Sequence, residues 1–371
     1  MGNQAALTVE PVPGVRLVNF FSASSIQDCP SFAITFSESL FFERRLKVLL
    51  VHQTKIPVFA YGGTERVVWD LAKGLIDLGH EVTFLVPEGS SCDFARVICI
   101  DPARPVMEQI PSKDFDIVHF QSNTEIEPDF PYLVTEHGNS KREYPFPLNT
   151  VFISKNHADR YGSKEFVYNG LNWSSYGPVD WAMPRRHFHF LGKGSWPVKN
   201  LKGAIEVARR AKVPLAVLGG TRLNLSRTFR FTPWRSIQFH GMVGGELKFR
   251  LLNESKGMIF PVRWNEPFGL AVIESLYFGN PVFATPYGAL PEIVLPQHGY
   301  LSDSVSRLTQ SVQEMTFDPR ECHQRALSVF NHVAMARGYV EKYQRVLDGE
   351  RLNASRPTLK ENGHQLMPWN P

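Results

Sequence analysis

Glu266 and Glu274 stand eight positions apart, on either side of a Pro267-Phe268-Gly269-Leu270 turn that opens into an apolar helix. At ~1.5 Å of rise per residue, Glu274 falls roughly one and a half turns into that helix. Both carboxylates can then face one cleft, while the free N–H groups of Gly269 and Leu270 point at an anion. A carboxylate accepts paired hydrogen bonds from a vicinal diol, so a ribose or a hexose is a natural partner. Each glutamate alone has a plainer explanation: Glu266 as a dipole partner at a helix start, Glu274 as a solvated helical residue. Other residues add cations and bare backbone. Gly62 and Gly63 lie between a strand and its helix, where missing side chains let a diphosphate or acceptor approach backbone N–H groups. Arg66, in that helix, could reach a phosphate or an acceptor anion; a surface salt bridge is its plain alternative. Lys193 and Lys199 sit in one loop after a later strand, and His137 ends a strand in a Glu-His-Gly turn.

Taken together these pieces resemble the family-4 retaining glycosyltransferases of the two-domain GT-B fold. The resemblance rests on Glu266-Pro267-Phe268-Gly269, Glu274, Gly279-Asn280-Pro281-Val282 and Tyr287-Gly288-Ala289-Leu290-Pro291-Glu292-Ile293-Val294. It extends to Gly62-Gly63 with Arg66, Glu136-His137-Gly138, Ile153-Ser154-Lys155, Asn169-Gly170 and the run from Gly192 to Asn200, in order over about residues 46–347. It implies transfer of a hexosyl unit from a UDP- or GDP-sugar, with retention, to a glycan, lipid or small-molecule acceptor. Lys193 and Lys199 would hold the donor diphosphate. The first of them stands where the family has an Arg, so a point charge replaces a bidentate fork. Glu266 and His137 would contact the sugar, Glu274 the ribose, and Gly241-Met242 would border the base. Phe268, Gly269 and Leu270 would complete the donor site.

The elements that must position these residues read as two doubly wound α/β halves. Residues 46–51 form a strand, 64–75 show helical spacing, and 82–86 form the next strand; further strands fall at 117–120, 132–135, 150–153 and 166–168. Residues 172–186 carry Pro178 and Pro184 without a period and read as a linker. A second series follows, with strands at 188–191, 215–218, 236–239, 257–260 and 281–284 and helices near 201–211, 245–254 and 269–279. A last helical stretch spans about 319–347 and is expected to brace the first half. The expected division is an extension at 1–45, an acceptor-side domain at 46–183, a donor domain at 184–347 and an unstructured tail at 348–371. In such sheets ligands sit beyond the carboxyl ends of the strands.

Composition narrows the remaining classes. With 371 residues, 43% hydrophobic content and a net charge of +4, the chain suits two soluble domains and shows no basic stripe for nucleic acid. No apolar run approaches the ~20 residues of a membrane span. A cytoplasmic protein is expected, with at most weak peripheral contact at the inner membrane face, through a loop at 139–149 carrying Lys141, Arg142, Tyr144 and Phe146. The four cysteines have no zinc, redox or disulfide spacing. No cofactor or metal is expected, with cationic side chains and a helix start doing the work of a divalent ion. An NAD-dependent oxidoreductase would need Gly-x-Gly-x-x-Gly after a strand, which neither Gly62-Gly63 nor Gly219-Gly220 supplies. A phosphorylase of similar fold would need a pyridoxal-phosphate lysine and a longer chain. A non-catalytic sugar-nucleotide-binding protein is the remaining alternative. The sequence does not choose between monomer and homodimer, nor among acceptors.

Overall fold

The structure, a computed structural model, describes residues 44–57, 62–140, 144–224, 230–360 and 366–371. The extension read at 1–45 lies outside these except for Arg44 and Arg45. These two are tied to the fold: Arg44 pairs with Asp116 at 2.5 Å and Arg45 approaches Glu81 at 3.7 Å. Lys141 and Arg142 also lie outside the described residues.

The first half is a six-stranded sheet of β1 (Lys47–Val51), β2 (Glu81–Pro87), β3 (Arg96–Ile100), β4 (Ile117–Phe120), β5 (Tyr132–Glu136) and β6 (Thr150–Phe152). Its helices are α1 (Gly63–Asp77) and the short α2 (Lys155–Arg160). The order is β3-β2-β1-β4-β5-β6, with every pairing parallel. Strands such as β1 and β4 are covered on both faces, which is why they read as unbroken apolar runs rather than alternating ones.

The second half begins with β7 (His187–Leu191), α3 (Leu201–Arg210) and β8 (Leu215–Leu218). A small hairpin, β9 (Leu223–Asn224) and β10 (Arg230–Phe231), precedes β11 (Ile237–Gly241), α4 (Gly245–Asn253) and β12 (Ser255–Phe260). Then come α5 (Leu270–Tyr277), β13 (Val282–Ala284), α6 (Leu290–Ile293), β14 (Gly299–Leu301), α7 (Val305–Glu314), α8 (Pro319–Val329) and α9 (His332–Leu347). Its sheet runs β11-β8-β7-β12-β13-β14. Leaving the hairpin aside, both sheets share the doubly wound order in which strand direction of travel reverses beside the first strand. The switch points are therefore β1/β4 and β7/β12.

Several expected boundaries shift. The stretch at 319–347 is two helices, because Phe330 breaks the ladder and the Asn331 side chain caps α9 by accepting from the N–H of Ala334. α9 then buries Met335, Ala336, Tyr339 and Tyr343 against Val67, Leu71 and Leu75 of α1, so it belongs to the first half's core. A domain border at 347 cuts sequence, not packing. The supposed linker is packed as well: Trp173 and Tyr176 are buried in the second half's core, and Trp173 stacks on Tyr277 at 4.5 Å. The described residues of the tail after Asp348 are likewise not loose. Asn353 donates to the carbonyls of Leu148 and Thr150, the N–H of Phe146 donates to Pro357, and Met367 and Arg263 exchange bonds at 2.9 and 2.8 Å. Backbone bonding to both halves substitutes for the apolar periodicity this tail lacks. The strand read at 166–168 reduces to a single bridge between Phe152 and Phe166.

Candidate active site

The carboxyl ends of the two sheets border one cavity of about 450 Å³. The first half contributes Gly63, Arg66, His137, Gly138 and Asn139; the second contributes Gly192, Lys199, Met242, Trp264, Glu266, Phe268, Gly269, Leu270 and Glu274, among others. Direct bonds join the rims. Ser154 caps α2 through the N–H of His157 and also donates to the carbonyl of Pro267 at 2.7 Å. Asn139 donates to the carbonyl of Asn265 at 2.8 Å, and Glu292 accepts from the N–H groups of Lys155 and Asn156 at 2.9 and 2.6 Å.

Glu266 is buried, and both of its bonds go to Oε2: Lys199 Nζ at 2.7 Å and the Trp264 indole N–H at 2.7 Å. No described residue bonds Oε1. Lys199 also lies 4.9 Å from the centre of the Trp264 ring, a cation–π contact that helps hold both groups. The Glu266 backbone is fixed by the following turn, since its carbonyl accepts from the N–H of Ala289 at 2.9 Å. That approach requires Gly288, at φ +64°, where a Cβ would lie 2.2 Å from the Glu266 nitrogen. α5 begins beyond Gly269, whose φ of 111° is left-handed, and no side chain caps its first turn.

Glu274 is the more heavily bound of the pair. Its Oε1 accepts from Arg66 at 2.5 Å, from the Tyr176 hydroxyl at 2.5 Å and from Lys248 at 2.7 Å. No described residue bonds Oε2. Burial presses this carboxyl toward its neutral form, but Lys248 and Arg66 overcome that and hold its pKa at about 2. One turn along α1 from Arg66, Asp70 is buried and accepts from the N–H of Asn172 at 3.0 Å. Burial raises its pKa to about 7, with Asn172 and Arg66 only partly offsetting it.

His137 lines the cavity with its Nε2 2.9 Å from Gln121 Oε1. Burial, aided by nearby His52, lowers its pKa to about 3, so the ring is neutral. Phe268 reaches the cavity, but its ring packs in the core beside Tyr168 and Phe330. Gly63 faces protein across the cleft: a Cβ there would meet Leu270 Cδ1 at 3.3 Å. Gly62 is the N-cap of α1 and is not among the residues lining the cavity. Lys193 and Gly241 line a smaller recess of about 200 Å³, which shares Gly219 and Met242 with the main cavity. There Lys193 sits over Trp196, 5.0 Å from the ring centre. Of the 139–149 loop, Tyr144 is exposed whereas Phe146 is buried against Phe152 and Tyr161. Cys322 is buried, and Cys99 is exposed.

Three partners escape sequence reasoning. Lys248 lies in α4 with no motif around it, Tyr176 lies in the supposed linker, and Gln121 follows β4. Only Trp264, two residues before Glu266, carries a signal, as part of the same short segment. One acidic triplet, Asp114-Phe115-Asp116, has the spacing of a metal motif. Asp116 accepts from the N–H of Lys47, at the amino ends of β1 and β4, opposite the end where the cavity opens.

Comparisons with known proteins agree with this fold. Residues 188–326 match the model described as glycosyl transferases group 1, and residues 61–161 match that of Glycosyltransferase Family 4. Sucrose synthase of Solanum tuberosum is 33% identical over 129 residues, covering 28% of this chain and 15% of that protein. Sucrose synthase 1 of Oryza sativa subsp. japonica is 40% identical over 62 residues, covering 17% and 8%. The matches thus span a small part of these curated relatives' length. Among solved structures, AviGT4, a glycosyltransferase involved in avilamycin A biosynthesis, aligns with a TM-score of 0.67 at 24% identity, over 82% of this chain and 99% of that one. An Anabaena protein, HepE, in complex with UDP and glucose, aligns with a TM-score of 0.56 at 15% identity, over 81% and 100%. The fold is GT-B, and with one family model matched in each half the chain belongs to the family-4-like group 1 glycosyltransferases.

Proposed function

We propose that this chain transfers a hexosyl unit from a nucleoside diphosphate sugar to an acceptor, with retention at the anomeric carbon and without a metal ion. The observation that carries this reading is the matched state of the two glutamates. Each is buried at the cavity with one oxygen bound by cationic and aromatic donors and the other bonded by no described residue. Glu266 would accept from sugar hydroxyls and Glu274 from the ribose diol. Negative charge that grows on the departing diphosphate would be met by Lys199 and the uncapped start of α5. Positive character on the sugar ring is favoured by a neutral His137 beside it, since an imidazolium there would oppose it. The diphosphate oxygen would take the acceptor's proton. The UDP and UDP-glucose complexes solved for the Anabaena protein support a nucleotide-sugar donor.

The acceptor reading stays with the cleft rim of the first half, where Tyr144 is exposed. No described helix is long and apolar enough to cross a membrane, and a cytoplasmic site of action with peripheral membrane contact is part of the proposal. Thermal-shift screening against UDP-, GDP- and ADP-sugars tests the donor. A ligand at 100 times its Kd stabilises the fold by ~2.7 kcal/mol. Turnover of the stabilising donor, with NMR assignment of the product anomer, then tests transfer and retention. Absence of any shift overturns the donor reading, and binding without turnover favours a non-catalytic protein.

A further inference from the structure

The ring of donors around Glu274 contains one member that local packing does not require. Lys248 alone neutralises the carboxylate, and Tyr176 adds a hydroxyl; both belong to the second half's framework. Arg66 comes from α1, across the cleft, yet it reaches the same oxygen at 2.5 Å. It also donates to the Tyr176 hydroxyl at 2.9 Å, so the guanidinium is fixed by two groups of the other half. Its side chain keeps 30% exposure where Glu274 keeps 5%, so it borders the cavity instead of being sealed behind it. Three donors on Oε1 fix the rotation of the carboxylate, and this fixation leaves Oε2 as the acceptor that no described residue uses.

We infer that Arg66 is a positioning residue for the nucleotide: by holding Oε1 of Glu274 from across the cleft, it sets Oε2 to receive the donor's ribose hydroxyls. Donor recognition in the second half then depends on a side chain of the first. This rests on the reading of Glu274 as the ribose residue. It reassigns Arg66 from direct contact with a phosphate to orientation of a carboxylate. A planar fork suits that task, since it can bond Tyr176 and Glu274 together where a lysine would hold a single point.

The test compares Kd values for UDP, GDP and their 2′-deoxy forms, by calorimetry, in the wild-type protein, Arg66→Met, Glu274→Gln and the double variant. Arg66→Met should weaken the preferred ribonucleotide about tenfold, the loss expected for a charge-assisted hydrogen bond. It should also erase most of the preference over the 2′-deoxy form, and it should have little further effect once Glu274 is Gln. Equal weakening of the ribo and deoxy ligands, or an undiminished effect in the Glu274→Gln background, overturns the inference in favour of direct phosphate contact. If Glu274→Gln leaves the ribose preference intact, the ribose reading itself falls and takes the inference with it. If Glu274→Gln removes the preference and Arg66→Met does not, only the role of Arg66 falls.

Discussion

The two ends of the cleft, which we propose hold the sugar and the nucleotide, are built around the same group, a buried carboxylate, and hold it differently. Glu266 is held by neighbours in its own half: Lys199 follows β7, Trp264 is two residues away, and Gly288 admits the turn that pins its backbone. Glu274 is held by three chain segments remote from one another, one of them in the other half. The first arrangement makes a preformed pocket wall. The second makes an acceptor whose orientation depends on how the halves sit together. A reaction that creates charge at the sugar gains from rigid local support there, because preorganised dipoles need not rearrange as the charge develops. A binding contact to the nucleotide tolerates dependence on closure, which couples donor recognition to cleft geometry.

If that contrast is right, substitutions at the two ends should differ in what they change. The largest effect belongs to the sugar end: Lys199→Met should lower kcat by ~10²–10³-fold with a smaller change in donor Kd, measured by initial rates and calorimetry. A loss confined to Kd would erase the distinction. At the nucleotide end, Lys248→Met removes a buried charge-assisted hydrogen bond to Glu274 and should cost about 2 kcal/mol in urea unfolding, since Arg66 still neutralises the carboxylate. Stability unchanged within error would show that Lys248 does not support the cluster.

A pH series separates the ends further. Asp70 titrates near 7 in the fold and near 4 when unfolded, so the native state binds more protons between these values. Its contribution is therefore most favourable below pH 4, declines as pH rises to about 7, and is level above that. Asp70→Asn should remove this decline and gain on the order of 4 kcal/mol over wild type at pH 8 and little at pH 4. Unfolding midpoints at the two pH values decide it. His137 acts with the opposite sign: lowered to about 3, it withdraws stability as pH falls from 6.5 toward 3. The smallest expected effect is Trp264→Phe, which deletes one hydrogen bond to Glu266 and should reduce kcat/KM about fivefold, near 1 kcal/mol. A change in KM alone would mean that the indole shapes the pocket and not the carboxylate.

Much of the fold was legible because buried parallel strands leave apolar runs and α helices leave a 3.6-residue period. β1, α1 and β2 are of this kind, as are β12 and α5. Several of the elements missed have weak local signals. β3 is partly exposed, β14 has three residues, and the β9–β10 hairpin pairs two residues on each side. The tail and the segment around Tyr176 read as loose because their order comes from backbone bonds and aromatic contacts with distant residues, which leave no period to detect. At the site, a short motif identified Glu266 and Glu274 and the loop lysines, but sequence spacing could not separate Lys199 from Lys193. The 3-10 turn at Pro197–Lys199 precedes Asn200, at φ 50°, and Lys199 meets Glu266 while Lys193 lines the adjoining recess.

By itself the sequence determined the two doubly wound halves, the family resemblance and the glutamate pair, since each is written in residues close together along the chain. The tertiary structure alone decided which oxygen of each glutamate is bound and by what. Arg66, Tyr176 and Lys248 converge on Glu274 from positions 208, 98 and 26 residues away. Contacts at such separations carry no local pattern. The Tyr176 and Lys248 contacts follow from packing within the second half, and that of Arg66 from the closure of one half upon the other, which packing of α9 against α1 and the bonds across the cleft rim hold in place.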